Sequence, residues 1–520
     1  MVTAKNIHHT MKTIQKIGLA IFILCLGVFI SLLGIGHYQL SDKIFKETIT
    51  DANHQQLLKP AVSFMIDKDY DSKIAFIADF KKAFNSVNDE FKKNQQWDKV
   101  IYADYTQPIV KHSTIGFVKE NSLILFFICF VVSSLGGLMY MIPALFIEPV
   151  AGIKHNDIFK TAITSRGIIA ILFSIGLISF YIFLYKAPEY ITNWILLVDD
   201  LSFAISGSEA SQWFLYGFLY CLVMTVMSAR MYIKYRHNNY QLVRTTSVLF
   251  FQIAFAFLIP NILSKLNLPS MDFKNMWPLD YTFFFDYRID GLISKGLLGY
   301  WMLGWGIFLF VVGVPVMVYF FGKRWYCSWV CGCGGLAETL GDPFRQLSDK
   351  SLKAWKYERV IVHSVLVFAV VMTAAVLYTY FTGNSKLLGI DTGSIREQYG
   401  FFIGFIFAGA IGTGFYPIMG SRVWCRFGCP LAAYLGIMQR FKSRFRITTN
   451  GAQCISCGNC STYCEMGIDV RAYAQKGENI IRSSCVGCGV CAAVCPRGVL
   501  KLENLAEEGR FEAYLRPEEK

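Results

Sequence analysis

Charge is scarce in this sequence. Only 17% of its 520 residues are Asp, Glu, Lys or Arg, against 54% hydrophobic and 16% aromatic. Length alone suggests roughly two to four soluble domains. So little charge cannot cover them, and several apolar runs reach the ~20 residues that cross a bilayer. Histidine is also rare, with 8 in the chain. Only His363 falls well inside an apolar run, so a membrane haem would lack its second axial ligand. A lone histidine there is read as hydrogen-bonded to a neighbouring helix or lining a polar pocket. No Cys-x-x-Cys-His occurs, which excludes c-type haem. The polar stretch 37–121 has no Gly-rich phosphate loop, and no kinase, cyclase or receiver motif follows the apolar runs. A redox sensor with a signalling output therefore ranks last. The net charge of +13 does not argue for nucleic acid, because basic residues gather in the loops on one side of a membrane protein.

What the sequence does hold is a series of apolar runs. The first, about 17–36, follows Lys5, Lys12 and Lys16. It is too long for a signal peptide and has no clear small-residue cleavage site, so it reads as a span. Seven more spans are expected at 122–146, 167–185, 212–233, 245–266, 299–321, 359–381 and 400–418. Alternate loops are basic, with Lys154, Lys160 and Arg166, then Lys234, Arg236 and Arg244, then Lys323, Arg324, Arg345, Lys350, Lys353, Lys356 and Arg359. The loop 186–211 instead sets Lys186 against Glu189, Asp199, Asp200 and Glu209. This asymmetry predicts both termini in the cytoplasm of a bacterial inner membrane. Between the first two spans, Ile77, Phe80 and Phe84 recur at helical spacing, which predicts a small helical outer domain over 37–121. The aromatic loop 270–292 (Trp277, Tyr281, Phe283, Phe284, Phe285, Tyr287) is expected to form an interfacial belt. Its functional alternative is a site for quinol or a periplasmic partner. Gly409, Gly412 and Gly414 lie in a span and predict close helix packing.

Of 16 cysteines, 13 lie after residue 320. Cys25, Cys129 and Cys221 stand alone in apolar runs and read as buried structural thiols. Cys454, Cys457, Cys460 and Cys464 form one C-x2-C-x2-C-x3-C run, and Cys485, Cys488, Cys491 and Cys495 form a second. This is the spacing of a bacterial two-cluster ferredoxin, in which the fourth cysteine of each run ligates the other cluster. Cys454, Cys457, Cys460 and Cys495 are therefore assigned to one 4Fe–4S centre, and Cys485, Cys488, Cys491 and Cys464 to the second. Glu465 follows Cys464 where Pro496 follows Cys495, a difference that keeps every ligand.

Two further stretches nearly superimpose, one from Gly322 through Arg324 and Cys327 to Cys331, the other from Gly420 through Arg422 and Cys425 to Cys429. Cysteines at i and i+4 share one helix face, and two facing pairs offer four soft ligands for an iron–sulfur cluster, Zn or Cu(I). A dithiol without metal is the other reading. Arg324, Arg422 and Arg426 would favour thiolate. Cys333 is an extra thiol. Glu338 and Asp342 read as solvated capping residues around a helix stop.

Paired C-x3-C motifs at the ends of spans, followed by the eight-cysteine segment, resemble the NosR/NapH/CcoG group of membrane polyferredoxins over about 299–500. Cys429–Pro430 matches that pattern, whereas Gly332 follows Cys331, and no Ser/Thr-Gly-Ala-Thr flavin-attachment motif is present. The resemblance implies electron exchange with membrane or periplasmic partners, linked in different members to quinol oxidation, nitrous-oxide reductase or copper handling.

The expected fold is mainly α, a polytopic helical membrane protein of about eight spans with a small helical outer domain and a C-terminal two-cluster ferredoxin-type domain. Its expected divisions are 1–36 (N-terminus and first span), 37–121 (outer domain), 122–266 (spans two to five), 267–430 (spans with the repeated C-x3-C) and 431–520 (ferredoxin-type domain). The expected function is iron–sulfur electron transfer between a cytoplasmic redox partner and the quinone pool or a periplasmic redox protein. Copper handling, as a maturation factor for a respiratory enzyme, is the alternative.

Overall fold

The computed structural model describes residues 2–147 and 162–505, apart from 385, 388, 442, 451 and 452. Lys154, Lys160 and the tail 506–520 lie outside the described residues. Seven described helices are long and apolar enough to cross a membrane: His9–Ser31, Ser122–Phe146, Ile168–Lys186, Gln212–Lys234, Asn239–Lys265, Leu297–Phe321 and Leu352–Thr382. The protein is a mainly helical polytopic membrane protein. The eighth expected span, 400–418, is helical but is not among the seven. It runs as Gly400–Ile411 in wide turns, then Gly412–Gly414, and breaks at Phe415 before Tyr416–Met419. Its glycines pack closely, since an added methyl would press on Tyr181 at Gly409, on Trp424 at Gly412 and on Ile178 at Gly414.

The chain divides into two units, Met1–Ile147 with Ile182–Leu219, and Glu148–Tyr181 with Tyr220–Lys520. In the first unit, the first two membrane helices cross where Gly18 and Gly136 let the backbones approach. Beyond them the stretch 37–121 is helical, and a small antiparallel sheet of His37–Gln39, Asp69–Tyr70 and Thr114–Ile115 joins the helices. Ser72 caps the Lys73–Lys93 helix, which buries Ile77 and Phe80 against Tyr38, Phe45 and Leu58. Burial of each such side chain contributes about 1.5–3 kcal/mol. The acidic loop 186–211 meets this module through opposite charges. Lys81 lies 2.5 Å from Glu189, and buried Lys111 lies 2.8 Å from Asp199 and 3.0 Å from Glu209.

The second unit holds most of the remaining membrane helices, including 168–181 and 220–234 of the two that the division cuts, and the C-terminal segment. Phe445–Thr449 pairs antiparallel with Leu500–Asn504 and closes the ferredoxin-type region, with short helices between. One core contains Val314, Val318 and Leu431 together with Cys327, Cys331, Cys425, Cys429, Cys460, Cys485 and Cys491. The eight-cysteine segment is therefore packed into the same core as the ends of the membrane helices.

The loop 270–292 departs from the sequence reading. It does not form a surface belt, because Met271, Lys274, Met276, Phe283 and Phe285 are all buried. The Trp277 indole donates to Thr373 (2.9 Å) and its ring lies 5.2 Å from Phe310, both in the middle of membrane helices. Of its aromatic side chains Phe283 and Phe285 are buried between helices, Trp277, Tyr281 and Phe284 are half-buried, and Tyr287 stays exposed.

Candidate functional site

Both halves of the eight-cysteine segment use one backbone device. Gly458 (φ +81°) follows Cys457, and Gly489 (φ +75°) follows Cys488. Each opens a short helix, Asn459–Thr462 or Val490–Ala493, that carries the next cysteine. Only glycine adopts that left-handed turn without strain. The thiols of Cys454, Cys457, Cys460 and Cys495 line one cavity, rimmed by the exposed Arg471 and Arg497. The Cys491 thiol feels those of Cys488, Cys464 and Cys485 and, from the first set, that of Cys460. Burial pushes Cys460 up to about 12 and Cys485 up to about 11. These two thiols are thus neutral without metal, and their ligation would release protons.

The two C-x3-C repeats also fold alike. Gly322 (φ +68°) and Gly420 (φ +94°) end the preceding helices Val314–Phe321 and Tyr416–Met419. The Cys331 N–H then donates to the Tyr326 carbonyl (2.7 Å), and the Cys429 N–H to the Trp424 carbonyl (2.9 Å), each five residues back. Cys331 and Cys429 are extended and start the helices Gly332–Glu338 and Pro430–Phe441. The expectation that each pair shares a helix face is not met. The wide turn releases the chain from the helix before the second cysteine, so the pair is presented by a loop. The four thiols nonetheless converge, since those of Cys425, Cys331 and Cys327 all stand around Cys429. Tyr220 donates to the Gly332 carbonyl (2.7 Å) and Gln252 to the Val330 carbonyl (2.6 Å), which holds the first loop in place.

Spacing bears on what these thiols could hold. Tetrahedral zinc with Zn–S of ~2.3 Å brings its sulfurs within about 4 Å of one another. Among the described residues no three cysteine thiols lie mutually within 4.8 Å. A cubane binds each thiolate at a separate iron corner and asks for a wider set. Cys333 sits beside this set, and its hydrogen bond to Cys331 pulls the Cys331 thiol down to about 6 while raising Cys333.

Of the three arginines expected to act on these thiols, only Arg422 meets one, with Nη1 3.6 Å from Cys425 Sγ and 3.2 Å from the Cys327 carbonyl. Arg324 instead stacks on Phe445, 4.1 Å from the ring centre, and Arg426 pairs with Glu358 at 2.9 Å.

Arg422 belongs to a buried ion network that the sequence reading missed. Glu338 accepts from Arg422 (2.7 Å), Arg244 (2.8 Å) and Arg345. Glu465 accepts from Arg345 (2.8 Å) and pairs by charge with Arg422, whose Nη2 lies 2.8 Å from Oε1. Asp342 takes Arg345 (2.9 Å), Arg230 (2.6 Å) and Lys234 (2.7 Å). Glu338 and Asp342 are therefore fully buried ion partners, not solvated caps. Arg244 also donates to the Cys488 carbonyl (3.0 Å), and the Glu338, Glu465 and Cys488 ligand atoms lie within 4.8 Å of one another. Burial alone would raise Glu338, but Arg244, Arg345 and Arg422 outweigh it and hold its carboxyl well below the usual range. On Glu465 burial prevails and raises the carboxyl despite Arg345 and Arg422. Five basic side chains meet three acidic ones, an excess of positive charge that suits an anionic thiolate-ligated cluster. Buried donors without a partner remain beside the thiols, namely Arg422 Nε, Arg244 Nη2 and the Trp424 indole N–H. Sulfur acceptors of a bound cluster would fit them. Two signals pointed to the network: the acid at 465 in place of proline, and arginines within apolar helices.

Other sequence candidates fall elsewhere. His363 donates from Nδ1 to the Arg359 carbonyl of its own helix (2.6 Å) and lines an open groove with Ser364, Val367, Phe368 and Val371. Cys25, Cys129 and Cys221 are buried and free.

Comparison with known proteins agrees with this geometry. The signature of a 4Fe-4S dicluster domain matches residues 446–496, and that of a 4Fe-4S binding domain matches twice, at 303–351 and 399–448. The double match falls on the two C-x3-C repeats. YccM of Escherichia coli (strain K12), whose name gives electron transport as a provisional role, is 27% identical over 158 residues, 28% of this chain and 43% of YccM. The match thus spans less than half of that curated relative. No solved structure matches the chain.

Proposed function

We propose that this protein is a membrane-bound iron–sulfur electron-transfer protein with three cluster sites. Cys454, Cys457, Cys460 and Cys495 would hold one 4Fe–4S cluster, and Cys485, Cys488, Cys491 and Cys464 a second. Cys327, Cys331, Cys425 and Cys429 would hold a third centre. A bound 4Fe–4S cluster supplies one-electron redox chemistry at low reorganisation cost. The chain's own residues set position and potential. The observation that carries the reading is the contact line from Cys425 through Arg422 and Glu465 to Cys488, which joins the C-x3-C thiols to the second ferredoxin set.

The sites differ in what surrounds them. Carbonyls of the 486–488 loop are bound by Ser328 (2.8 Å), Tyr240 (3.1 Å) and Gln241 (3.0 Å), so the second set faces the membrane helices. The first set opens beside Arg471 and Arg497. A cytoplasmic redox partner would meet the first set. Quinone, or a periplasmic redox protein, is the partner proposed at the membrane end, as in the NapH-like and NosR-like proteins that the motifs resemble. The double match of a 4Fe-4S binding domain on the two C-x3-C repeats favours a cluster over the copper-handling alternative.

Iron and sulfide analysis with redox-titrated EPR tests the proposal. The purified protein should bind about twelve irons, and serine at Cys327, Cys331, Cys425 or Cys429 should lower that to about eight with both ferredoxin signals kept. Unchanged iron in those variants, or loss of copper or zinc instead, overturns the third centre. A signal that ignores added quinol overturns the quinone partner.

A further inference from the structure

The segment 271–279 enters the helix bundle of the second unit as irregular backbone. Trp305, in the Leu297–Phe321 helix, donates to the Phe273 carbonyl (2.9 Å), and Trp277 donates to Thr373 in Leu352–Thr382. At 1.5 Å per residue, Phe310 and Thr373 lie about 14–20 Å from the Leu297 and Thr382 ends of their helices, near the middle of a ~30 Å hydrocarbon core. The segment then reaches the C-x3-C site, because Tyr326, next to Cys327, donates to Asn275 Oδ1 (3.3 Å), and Met276 packs in the same core as Cys327, Cys331, Cys425 and Cys429. Irregular backbone at membrane depth persists only where protein covers it or it lines a functional cavity. An intramembrane charge likewise points to function.

This segment carries such charges. Lys274 is buried, with Nζ 2.6 Å from Asp272 Oδ2. The next two residues place it beside the thiols, since Asn275 accepts from Tyr326, adjacent to Cys327, and Met276 packs in the core that holds all four. Cys221 contacts the Gln252 carbonyl, and the Gln252 amide binds the Val330 carbonyl beside Cys331. We propose that Lys274, oriented by Asp272 on this re-entrant segment, is a positioning residue that sets the reduction potential of the C-x3-C centre. It acts independently of Arg422, which approaches the same centre through Cys425. A fixed cation beside the centre stabilises the reduced, more negative state, and the Asp272 carboxylate opposes it. The pair thus makes the potential at the membrane end of the protein separately adjustable from those of the ferredoxin sets.

This inference rests on the third centre proposed above. Its test is a redox titration of the purified full chain, read by EPR for all three centres, in Lys274→Gln, Lys274→Arg, Asp272→Asn and the double variant Asp272→Asn/Lys274→Gln. Lys274→Gln is expected to lower the midpoint of the third signal, Asp272→Asn to raise it, and Lys274→Arg to leave it near wild type. The double variant keeps the net charge and should bring the midpoint back toward wild type; if Lys274→Gln fails to accumulate, the rise expected in Asp272→Asn alone carries the test. The two ferredoxin midpoints should not move. Shifts of the same sign in the two single charge variants, no shift in either of them, or a shift in the double variant as large as theirs overturns the role of Lys274. Absence of any third signal in the wild-type protein is a different result, which overturns the third centre itself.

Discussion

Replacing Glu338 with Gln keeps the side-chain shape and removes one buried charge. Glu338 accepts from Arg244, Arg345 and Arg422. Glu465 would still serve Arg345 and Arg422, and Asp342 would still serve Arg345. Arg244 would keep only the Cys488 carbonyl. Stranding a buried charge in this way costs about 3–5 kcal/mol. That is a large part of the ~5–15 kcal/mol that separates a typical folded protein from its unfolded chain. The network also joins Glu338, on the Gly332–Glu338 helix, to Glu465, beside Cys464, so the loss should appear as early release of the C-terminal segment. Thermal melts in detergent, followed by bleaching of cluster absorbance and by intrinsic fluorescence, give the assay. Glu338→Gln should bleach several degrees earlier than wild type. Glu358→Gln, which strands only Arg426, should fall between them. Adding Arg244→Met to Glu338→Gln should recover part of the loss, as expected for coupled partners. If Glu338→Gln bleaches within about a degree of wild type, the network does not hold the two parts together and the reasoning fails.

Gly334→Ala would drive a methyl group into the Cys327 carbonyl and within 3.2 Å of Arg422 Nη1, so iron analysis should find the C-x3-C site empty and both ferredoxin signals retained. Lys73 is buried with only the Tyr190 carbonyl bonded to its amine (3.0 Å), and desolvation lowers it from 10.5 to about 7. The folded state therefore binds fewer protons than the unfolded chain between those values, and stability should rise with pH across that window by an amount on the order of several kcal/mol. Melts at pH 7 to 10 should show the rise, and Lys73→Met should flatten it. Arg471→Glu with Arg497→Glu should slow reduction of the first ferredoxin set by an acidic carrier in stopped-flow mixing, and should weaken the dependence on salt. A rate unaffected by the two reversals would place the encounter elsewhere.

Much of this architecture was legible because it rests on periodicity and spacing. Apolar runs announced the membrane helices, and Ile77 and Phe80 announced the buried face of Lys73–Lys93. The eight cysteines grouped themselves, since fixed spacing around one turn leaves the chain few choices. Other features depend on tertiary neighbours that spacing does not encode. Cys327 and Cys331 have helical spacing, yet a hydrogen bond five residues back carries the second cysteine off the helix. Glu338 and Asp342 stand where capping acids stand, and only the approach of Arg230, Arg244 and Arg422 from distant segments turns them into core residues. The aromatic loop 270–292 has the composition of an interfacial belt. Its insertion is decided by Thr373, Trp305 and Tyr326, which receive it.

The duplicated C-x3-C loop also constrains biogenesis. Each copy supplies only two of the four thiols, and about 94 residues separate Cys331 from Cys425. At ~5–20 residues per second, the first pair waits several seconds after leaving the ribosome before its complement is made. The intervening helix Leu352–Thr382 must insert during that delay. Under the proposal of a third centre, its metal would load late and after insertion, and a chain truncated before residue 425 would carry an unmatched dithiol. If that centre forms, a ribosome-arrested series extended past Cys429 far enough for it to clear the exit tunnel would display the step as a sudden gain in bound iron.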